Sequence, residues 1–120
     1  MKSFFETFPI TKIEYSEIDI WIEKPGFKIL FLWGVNCPNC EIAKKVLTEY
    51  LSEVFEWEKK YQVKWYHGDV YDNFEWAHRF GLQGIPHFMI YKGSKRIGKI
   101  TPFPGWAPFQ EALEKVFTSF

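Results

Sequence analysis

Residues 27–43 read FKILFLWGVNCPNCEIA, an apolar run followed by two cysteines three positions apart. The run from Phe27 to Trp33 is almost uninterrupted, which is typical of a strand that is covered on both faces of a sheet. From Pro38 onward the apolar residues recur at intervals of three and four, as on one face of an amphipathic helix. The stretch therefore predicts a central strand that leads into a long helix, with Cys37 and Cys40 at the junction.

The position of the two cysteines at this junction favours redox chemistry between them. Proline is favoured at the first helical position because its missing N–H would have no partner there, so Cys37 falls at or near the N-cap and Cys40 in the first turn. Residues three apart on a helix lie about 5 to 6 Å apart, which suits a reversible disulfide. The helix end favours the Cys37 thiolate and lowers its pKa. We expect Cys37 to be the nucleophile and Cys40 to resolve the mixed disulfide formed with a substrate.

Length and composition exclude several classes of protein. The chain has 120 residues with 15 basic and 15 acidic side chains, and 47% of its residues are hydrophobic. We expect one ordered domain over residues 1–120, and the zero net charge argues against a nucleic-acid partner. The charge-free stretch 29–40 is too short to cross a bilayer, and Glu6 and Pro9 interrupt any signal-peptide core. The expected state is a cytoplasmic monomer without a membrane partner.

The rest of the chain divides into short periodic segments. The predicted segments are an initial strand near Ile13 and Tyr15, a helix capped by Ser16 that includes Ile22, the central strand over 27–33, a helix from Pro38 to Trp57, a strand over 62–66, a helix over 72–80, strands over 86–91 and 96–101, and a closing helix around 109–117. The last two strands should form an antiparallel hairpin. The layout predicts an α/β fold with a mixed central β-sheet flanked by helices. Phe4, Phe5 and Phe8 either cover the sheet or form an exposed partner-binding patch.

Three landmarks make the sequence resemble the thioredoxin family from about Ile13 to Phe120. They are the strand with Trp33 ahead of Cys-x-x-Cys, the segment FGLQGIP over 80–86, and the hairpin YKGS over 91–94. The resemblance implies the thioredoxin fold, with helices on both faces of the sheet. It also implies a thiol-disulfide oxidoreductase that acts on protein disulfide substrates, needs no bound cofactor, and is recharged by an upstream reductase or by glutathione.

The resemblance implies where a substrate would lie. In the family, the proline that matches Pro86 is cis and packs beside the two sulfurs, and the residue before it offers backbone groups to an extended substrate. We expect Trp33 to pack in the core and to help shape the site. The substrate groove would be bounded by Asn36, Pro38, Ile85, Pro86 and the loop at Phe103.

The motif departs from the usual family pattern around its first cysteine. Thioredoxins have Trp before the first Cys and Gly-Pro between the two, whereas this chain has Asn36 and then Pro38-Asn39. Asn39 is thus a candidate for modulating the site. The departures leave substrate choice and reduction potential open, and the potential decides whether the protein is a reductant, an oxidant or an isomerase.

Two histidines are further candidates for modulating the chemistry. Thioredoxins have a buried acid on the central strand that assists proton transfer at the second Cys, and the matching residue here is Phe31. His67 matches a lysine that pairs with that acid, so we hypothesise that His67 or a water molecule takes over proton transfer to Cys40, for which an ordinary pKa of about 6.5 is suitable. His87 stands where the family often has Thr, and as an imidazolium it could lower the pKa of Cys37. For both histidines the alternative is a side chain satisfied within its strand.

Other interpretations of the cysteines stay open. Structural zinc is four-coordinate, so a metal site would need two more ligands, for which only His67, His78 and His87 are available; we expect no metal site. A glutaredoxin-like reductase that uses glutathione is one alternative, although Ile85-Pro86 is not followed by the double glycine common in those proteins. A thioredoxin-fold binding module without catalysis is the other.

Overall fold

The computed structural model describes residues 3–120, which form a mixed five-stranded sheet. Its strands are β1 (Ile10–Lys12), β2 (Phe27–Trp33), β3 (Lys64–Asp69), β4 (His87–Lys92) and β5 (Lys95–Ile100). The strand order is β1-β3-β2-β4-β5, in which β1, β3 and β2 are parallel. Strand β4 is antiparallel to β2, and β5 is antiparallel to β4. The predicted central strand and the predicted final hairpin are both confirmed.

Helices lie on both faces of this sheet. They are α1 (Phe4–Thr7), α2 (Ile18–Ile22), α3 (Pro38–Glu49), α4 (Leu51–Tyr61), α5 (Glu75–Phe80) and α6 (Trp106–Ser119). Helices α1, α3, α4 and α6 pack on one face, and α2 and α5 pack on the other. The expected α/β fold is confirmed. Within residues 3–120, none of the helices has the length and apolar character needed to cross a membrane.

Apart from Lys28, strand β2 is apolar because its alternate side chains enter two separate cores. Ile29 and Phe31 face α3, α4 and α6, whereas Leu30 and Leu32 face α2 and α5. All four side chains are fully buried. This double burial explains why the sequence of the strand shows no alternation between apolar and polar residues. The strand ends at Trp33, and α3 begins five residues later, beyond the C-terminal end of this central strand.

Lys28 is the one charged residue within β2, and it is buried as deeply as its apolar neighbours. Its Nζ donates hydrogen bonds to the carbonyl oxygens of Trp21 and Ile22, at 2.7 and 2.8 Å. These carbonyls belong to the last two residues of α2, and the Trp21 carbonyl also accepts the backbone N–H of Lys24 at 3.1 Å. Burial lowers the pKa of Lys28 to about 8. The residue therefore joins α2 to the sheet while its charged form is destabilised.

The prediction of a single long helix from Pro38 to Trp57 is wrong, because the chain bends at Tyr50. There φ is −109° and ψ is 31°, so α3 ends and α4 begins at this residue. A straight helix over both segments would be about 36 Å long, while the longest dimension of the molecule is 34 Å. The bend allows both helices to bury an apolar face on the same sheet, and the Tyr50 ring stacks on Trp106 with 4.3 Å between centroids.

The chain before α2 also differs from the expectation. Strand β1 ends before Ile13, and residues 15–17 form a 3₁₀ turn instead of the end of a strand. The backbone N–H of Glu14 donates to a carboxylate oxygen of Glu17 at 2.8 Å, so this turn is capped by Glu14. Helix α2 itself has Glu17 at its N-cap, and Ser16 lies inside the 3₁₀ turn, so the expected N-cap at Ser16 is wrong. Further along the chain, β3 continues three residues past its expected end, and α5 begins three residues later than expected.

The phenylalanines near the start of the chain cover the sheet, which is the first of the two alternatives. Phe8 is buried, and Phe4 and Phe5 are half-buried against the same core. The Phe4 ring packs edge-on to Phe31 at a centroid distance of 6.2 Å. Helix α1 thus lies over the region where β2 and β3 carry Phe31 and His67.

Candidate functional site

The two cysteines are joined by a disulfide at the start of α3. Cys37 is the N-cap, with φ −112° and ψ 102°, and Pro38 occupies the first helical turn. The Cα atoms of Cys37 and Cys40 are 5.2 Å apart. The expected geometry, an extended N-cap cysteine followed by a cysteine in the first turn, is confirmed. This geometry arises because the chain leaves the C-terminal end of β2 and Pro38 starts the helix there.

The two sulfurs of this disulfide have different surroundings. Cys40 is fully buried, whereas Cys37 is half-buried. The Cys37 Sγ accepts a hydrogen bond from the backbone N–H of Cys40 at 3.2 Å. The same donor would stabilise a thiolate at Cys37 after reduction. An incoming molecule therefore has access to Cys37 and not to Cys40.

A backbone carbonyl lies directly beside the accessible sulfur. The Cys37 Sγ is 3.7 Å from the carbonyl oxygen of Ile85. The Ile85–Pro86 peptide bond is cis, with Ile85 half-buried and Pro86 buried. The Thr101 hydroxyl donates to the Pro86 carbonyl at 2.9 Å and so fixes this segment to the loop after β5. The structure therefore brings Ile85 and Pro86, which are far apart from Cys37 in sequence, next to it.

The other predicted groove residues lie around the first turn of α3 in different ways. Asn36 is exposed and has a positive φ of 56°, and Pro38 is exposed. The Oδ1 of Asn39 accepts a hydrogen bond from the backbone N–H of Phe103 at 2.9 Å. The side chain of Phe103 is buried in the core. Phe103 therefore contributes its backbone to the rim of the site, and its ring does not line a groove.

His67 has a partner other than the cysteines. Its Nδ1 accepts a hydrogen bond from the Trp33 indole N–H at 3.0 Å, and the Phe5 ring stacks on the imidazole at a centroid distance of 4.1 Å. Burial, and then the charges of Lys12 and Lys44, lower the pKa of His67 to about 4. The expectation of an ordinary pKa is wrong, and His67 is a neutral acceptor that orients Trp33.

His87 lies on the other face of the sheet. It pairs with Leu32 across β2 and β4, and Leu32 belongs to the core beneath α2 and α5. His87 is buried, and neither ring nitrogen has a hydrogen-bond partner among residues 3–120. Burial, together with the charges of Lys99 and Arg96, lowers its pKa. The expectation that His87 lowers the pKa of Cys37 as an imidazolium is therefore wrong, because burial favours the neutral form of His87.

One ion pair lies on α3 next to the disulfide. Lys44, one turn after Cys40, forms an ion pair with Glu41 at 2.8 Å. Its Nζ also lies over the rings of Phe5 and Trp33, at 5.3 and 5.2 Å from their centroids. Lys44 therefore covers the aromatic side of the site.

Sequence reasoning did not identify an apolar hollow next to Ile85. The hollow has a volume of about 190 Å³ and is lined by Val70, Tyr71, Phe74, Ala77, Leu82, Gly84 and Ile85. Tyr71 and Phe74 are 51% and 66% exposed, so large apolar surfaces face the solvent here. Tyr71 packs against Gly34, where a Cβ would lie 2.4 Å from its ring. The available signal was the pair of aromatic residues, Tyr71 and Phe74, on either side of Asp72 and Asn73 in the turn after β3.

Among residues 3–120, no three His, Cys, Asp or Glu side chains are grouped in a way that could hold a metal ion. The three histidines lie on separate elements, since His67 is in β3, His78 in α5 and His87 in β4.

Comparison with known proteins identifies the fold. No protein-family model matches the chain. Oxidised mitochondrial thioredoxin 3 from Saccharomyces cerevisiae superimposes with a TM-score of 0.70 at 21% identity, over 98% of this chain and 100% of that chain. A second match comes from a structure concerning the thiol-resolving mechanism of yeast mitochondrial 1-Cys peroxiredoxin via glutathione/thioredoxin systems. It has a TM-score of 0.69 at 23% identity, over 92% of this chain and 95% of that chain. The chain has the thioredoxin fold, as its sequence landmarks implied.

Proposed function

We propose that this thioredoxin-fold chain is a thiol-disulfide oxidoreductase that exchanges its Cys37–Cys40 pair with disulfides of protein substrates. The observation that carries the proposal is the asymmetry of the pair. Cys37 is accessible and caps α3, and its sulfur lies 3.7 Å from the backbone carbonyl oxygen of Ile85, while Cys40 is buried one turn away. An attacking sulfur and a resolving sulfur need these two different environments.

The reaction transfers two electrons in two exchange steps. The Cys37 thiolate attacks one sulfur of the client disulfide, which breaks and releases the first client sulfur as a thiolate. Cys40 then attacks the Cys37 sulfur of the mixed disulfide, which releases the second client thiolate and forms the Cys37–Cys40 disulfide. The protons of the Cys37 and Cys40 thiols pass to solvent or to the two client thiolates. The client disulfide is reduced and the Cys37–Cys40 dithiol is oxidised.

Backbone groups of α3 supply the electrostatic part of this mechanism. Cys37 faces the free N–H groups of the helix end, and the Cys40 N–H already donates to its sulfur at 3.2 Å. Burial works against the thiolate of Cys40, which therefore has to lose its proton late. Because Phe31 provides no carboxylate and His67 is a neutral acceptor occupied by Trp33, we assign the removal of this proton to a water molecule.

The client would bind along the segment that contains Ile85. An extended chain can pair with backbone groups at Ile85, whose carbonyl lies beside the accessible sulfur. The hollow next to it offers Tyr71 and Phe74 as apolar contacts for a client side chain. Electrons would come from an upstream reductase or from glutathione, and the proposed location is the cytoplasm.

The test is reduction of insulin by dithiothreitol in the presence of the protein, which follows precipitation of the insulin chains. The wild type should accelerate the reaction, and Cys37→Ser should abolish the acceleration. Cys40→Ser should trap client proteins as mixed disulfides that dithiothreitol releases. A noncatalytic binding module would instead retain its partners after Cys37→Ser. Absence of acceleration by the wild type, with no trapped client on Cys40→Ser, would refute the proposal.

A further inference from the structure

The first turn of α3 is tied to the rest of the site by a second connection that does not pass through the cysteines. Asn39 lies between the two cysteines, and its Oδ1 accepts the Phe103 N–H at 2.9 Å, across 64 residues of sequence. The assignment of this oxygen is unambiguous because a backbone N–H can only donate. Two residues before Phe103, the Thr101 hydroxyl donates to the Pro86 carbonyl at 2.9 Å. We call the segment from Thr101 to Phe103, with these two hydrogen bonds, the clasp.

The clasp is anchored at a rigid point of the core. The Phe103 side chain is 5% exposed, and its ring packs against Phe109 and Phe88 at centroid distances of 5.3 and 6.2 Å. Phe88 belongs to β4 and Phe109 to α6, so the donor to Asn39 is positioned by two elements of the core. Asn39 itself is half-buried, which limits competition from water for this bond.

The clasp acts on the atoms that must move when the disulfide opens. On reduction the two sulfurs separate from covalent to van der Waals distance, and the turn that carries them is free to rearrange. A bond that holds Asn39 in place restricts this rearrangement, so the reduced form keeps its sulfurs near the position in which they join. Restriction of the reduced form favours the disulfide, by the same logic that makes a preorganised ligand bind more tightly.

We propose that Asn39 is a positioning residue that, through its hydrogen bond to the Phe103 backbone, holds the first turn of α3 in the disulfide-closing geometry and makes the dithiol a stronger reductant. The proposal rests on the exchange chemistry proposed above, because it concerns the potential at which that chemistry operates. It assigns a function to the residue pair that replaces Gly-Pro in this chain, and that function depends on a residue outside the motif.

The experiment measures the equilibrium between the Cys37–Cys40 pair and glutathione, with the oxidised fraction read by alkylation and mass shift. Asn39→Leu keeps the approximate shape and removes the acceptor, whereas Asn39→Asp keeps an oxygen acceptor. Because the bond is present in both redox forms, the difference between them is at most about the free energy of one hydrogen bond, and the disulfide of Asn39→Leu should be up to about tenfold less favoured than that of the wild type. For this two-electron couple the change is up to about 30 mV toward a more oxidising potential. Asn39→Asp should show no such shift.

A merely structural role for Asn39 predicts a different result. In that case Asn39→Leu would destabilise the oxidised and reduced forms equally, and the potential would stay at the wild-type value. Urea unfolding of both redox forms makes the comparison, because our proposal requires the oxidised form to lose more stability than the reduced form. If Asn39→Leu does not fold, Thr101→Val tests the other end of the clasp and should shift the potential in the same direction.

The outcomes separate this inference from the proposed function. An unchanged potential in Asn39→Leu, or an equal shift in Asn39→Asp, would overturn the role of the clasp. Equilibration with glutathione does not require a protein client. A wild type that equilibrates with glutathione, shows the Asn39 shift and yet fails to reduce insulin would support the clasp and refute the proposed function.

Discussion

Replacement of His67 by Phe should make the oxidised protein less stable at neutral pH and more stable in acid. His67 is 6% exposed, and burial lowers its pKa from 6.5 to about 4. As the pH falls below 6.5, the unfolded chain takes up a proton at this residue and the folded chain does not. The wild type therefore loses stability between pH 6.5 and pH 4, and Phe removes this loss.

The structure sets the size of the two opposing effects. Phe cannot accept the Trp33 indole N–H, which donates to His67 at 3.0 Å, and the lost hydrogen bond costs about 1 kcal/mol. The pKa difference destabilises the wild type by about 2 kcal/mol at pH 5 and by only about 0.2 kcal/mol at pH 7. His67→Phe should thus be about 1 kcal/mol less stable than the wild type at pH 7 and about 1 kcal/mol more stable at pH 5, with a crossover near pH 6.

Urea unfolding of the oxidised proteins at both pH values, followed by tryptophan fluorescence, measures this difference. Oxidised protein is used because the cysteines then do not titrate, and the contribution of His87 is present in both proteins and cancels. His78→Gln is the matched control for the loss of a histidine, since His78 is exposed on α5. A stability difference between His67→Phe and the wild type that is the same at pH 5 and pH 7 would refute the reasoning.

Three further predictions concern single residues. Lys28→Met should change the pH dependence of stability in alkali, because burial lowers the pKa of Lys28 to about 8. Between pH 8 and 10.5 the free energy of unfolding of the wild type, measured in urea, should rise by up to about 3 kcal/mol relative to the variant. Phe74→Ser should raise KM for a protein disulfide roughly fivefold while kcat and the urea midpoint change little, because Phe74 is 66% exposed beside Ile85; an unchanged KM would remove the hollow from the binding surface. Gly68→Ala should destabilise the fold by about 1 to 3 kcal/mol in the same unfolding assay, since a Cβ there would lie 2.8 Å from the buried Trp76 ring, and a neutral effect would contradict this packing.

The sequence was sufficient to predict the elements whose periodicity reflects burial. The apolar run of β2 is covered on both faces and the repeat of α3 faces one core, so both patterns were unambiguous. Pro38 fixed the start of α3, and with it the spacing of the cysteines. The bend at Tyr50 was not predictable, because the apolar spacing continues through it.

The state of the two histidines was beyond the reach of the sequence. An imidazole in a strand has an ordinary pKa until its burial and its neighbours are known. His67 is covered by Phe5 from α1 and held by Trp33, and the Phe5 contact spans 62 positions of the chain while the Trp33 contact joins two strands. The bond between Asn39 and Phe103 is equally nonlocal. The positions of the two cysteines could be predicted from the sequence, but the groups that surround the disulfide come from elements that only the fold brings together.

These groups have one property in common, which bears on how the potential of the disulfide is set. His67 and His87 are both driven toward the neutral form, Phe31 carries no charge, and the carboxylate of Glu41 is paired with Lys44. The side chains around the sulfurs therefore offer little net charge to stabilise or destabilise a thiolate. What remains is the backbone, namely the N–H groups at the start of α3 and the geometry in which the first turn is held. In such a site we expect the potential to depend on the position of these groups more than on charge, so that a single neutral hydrogen bond at Asn39 has a measurable effect on the potential.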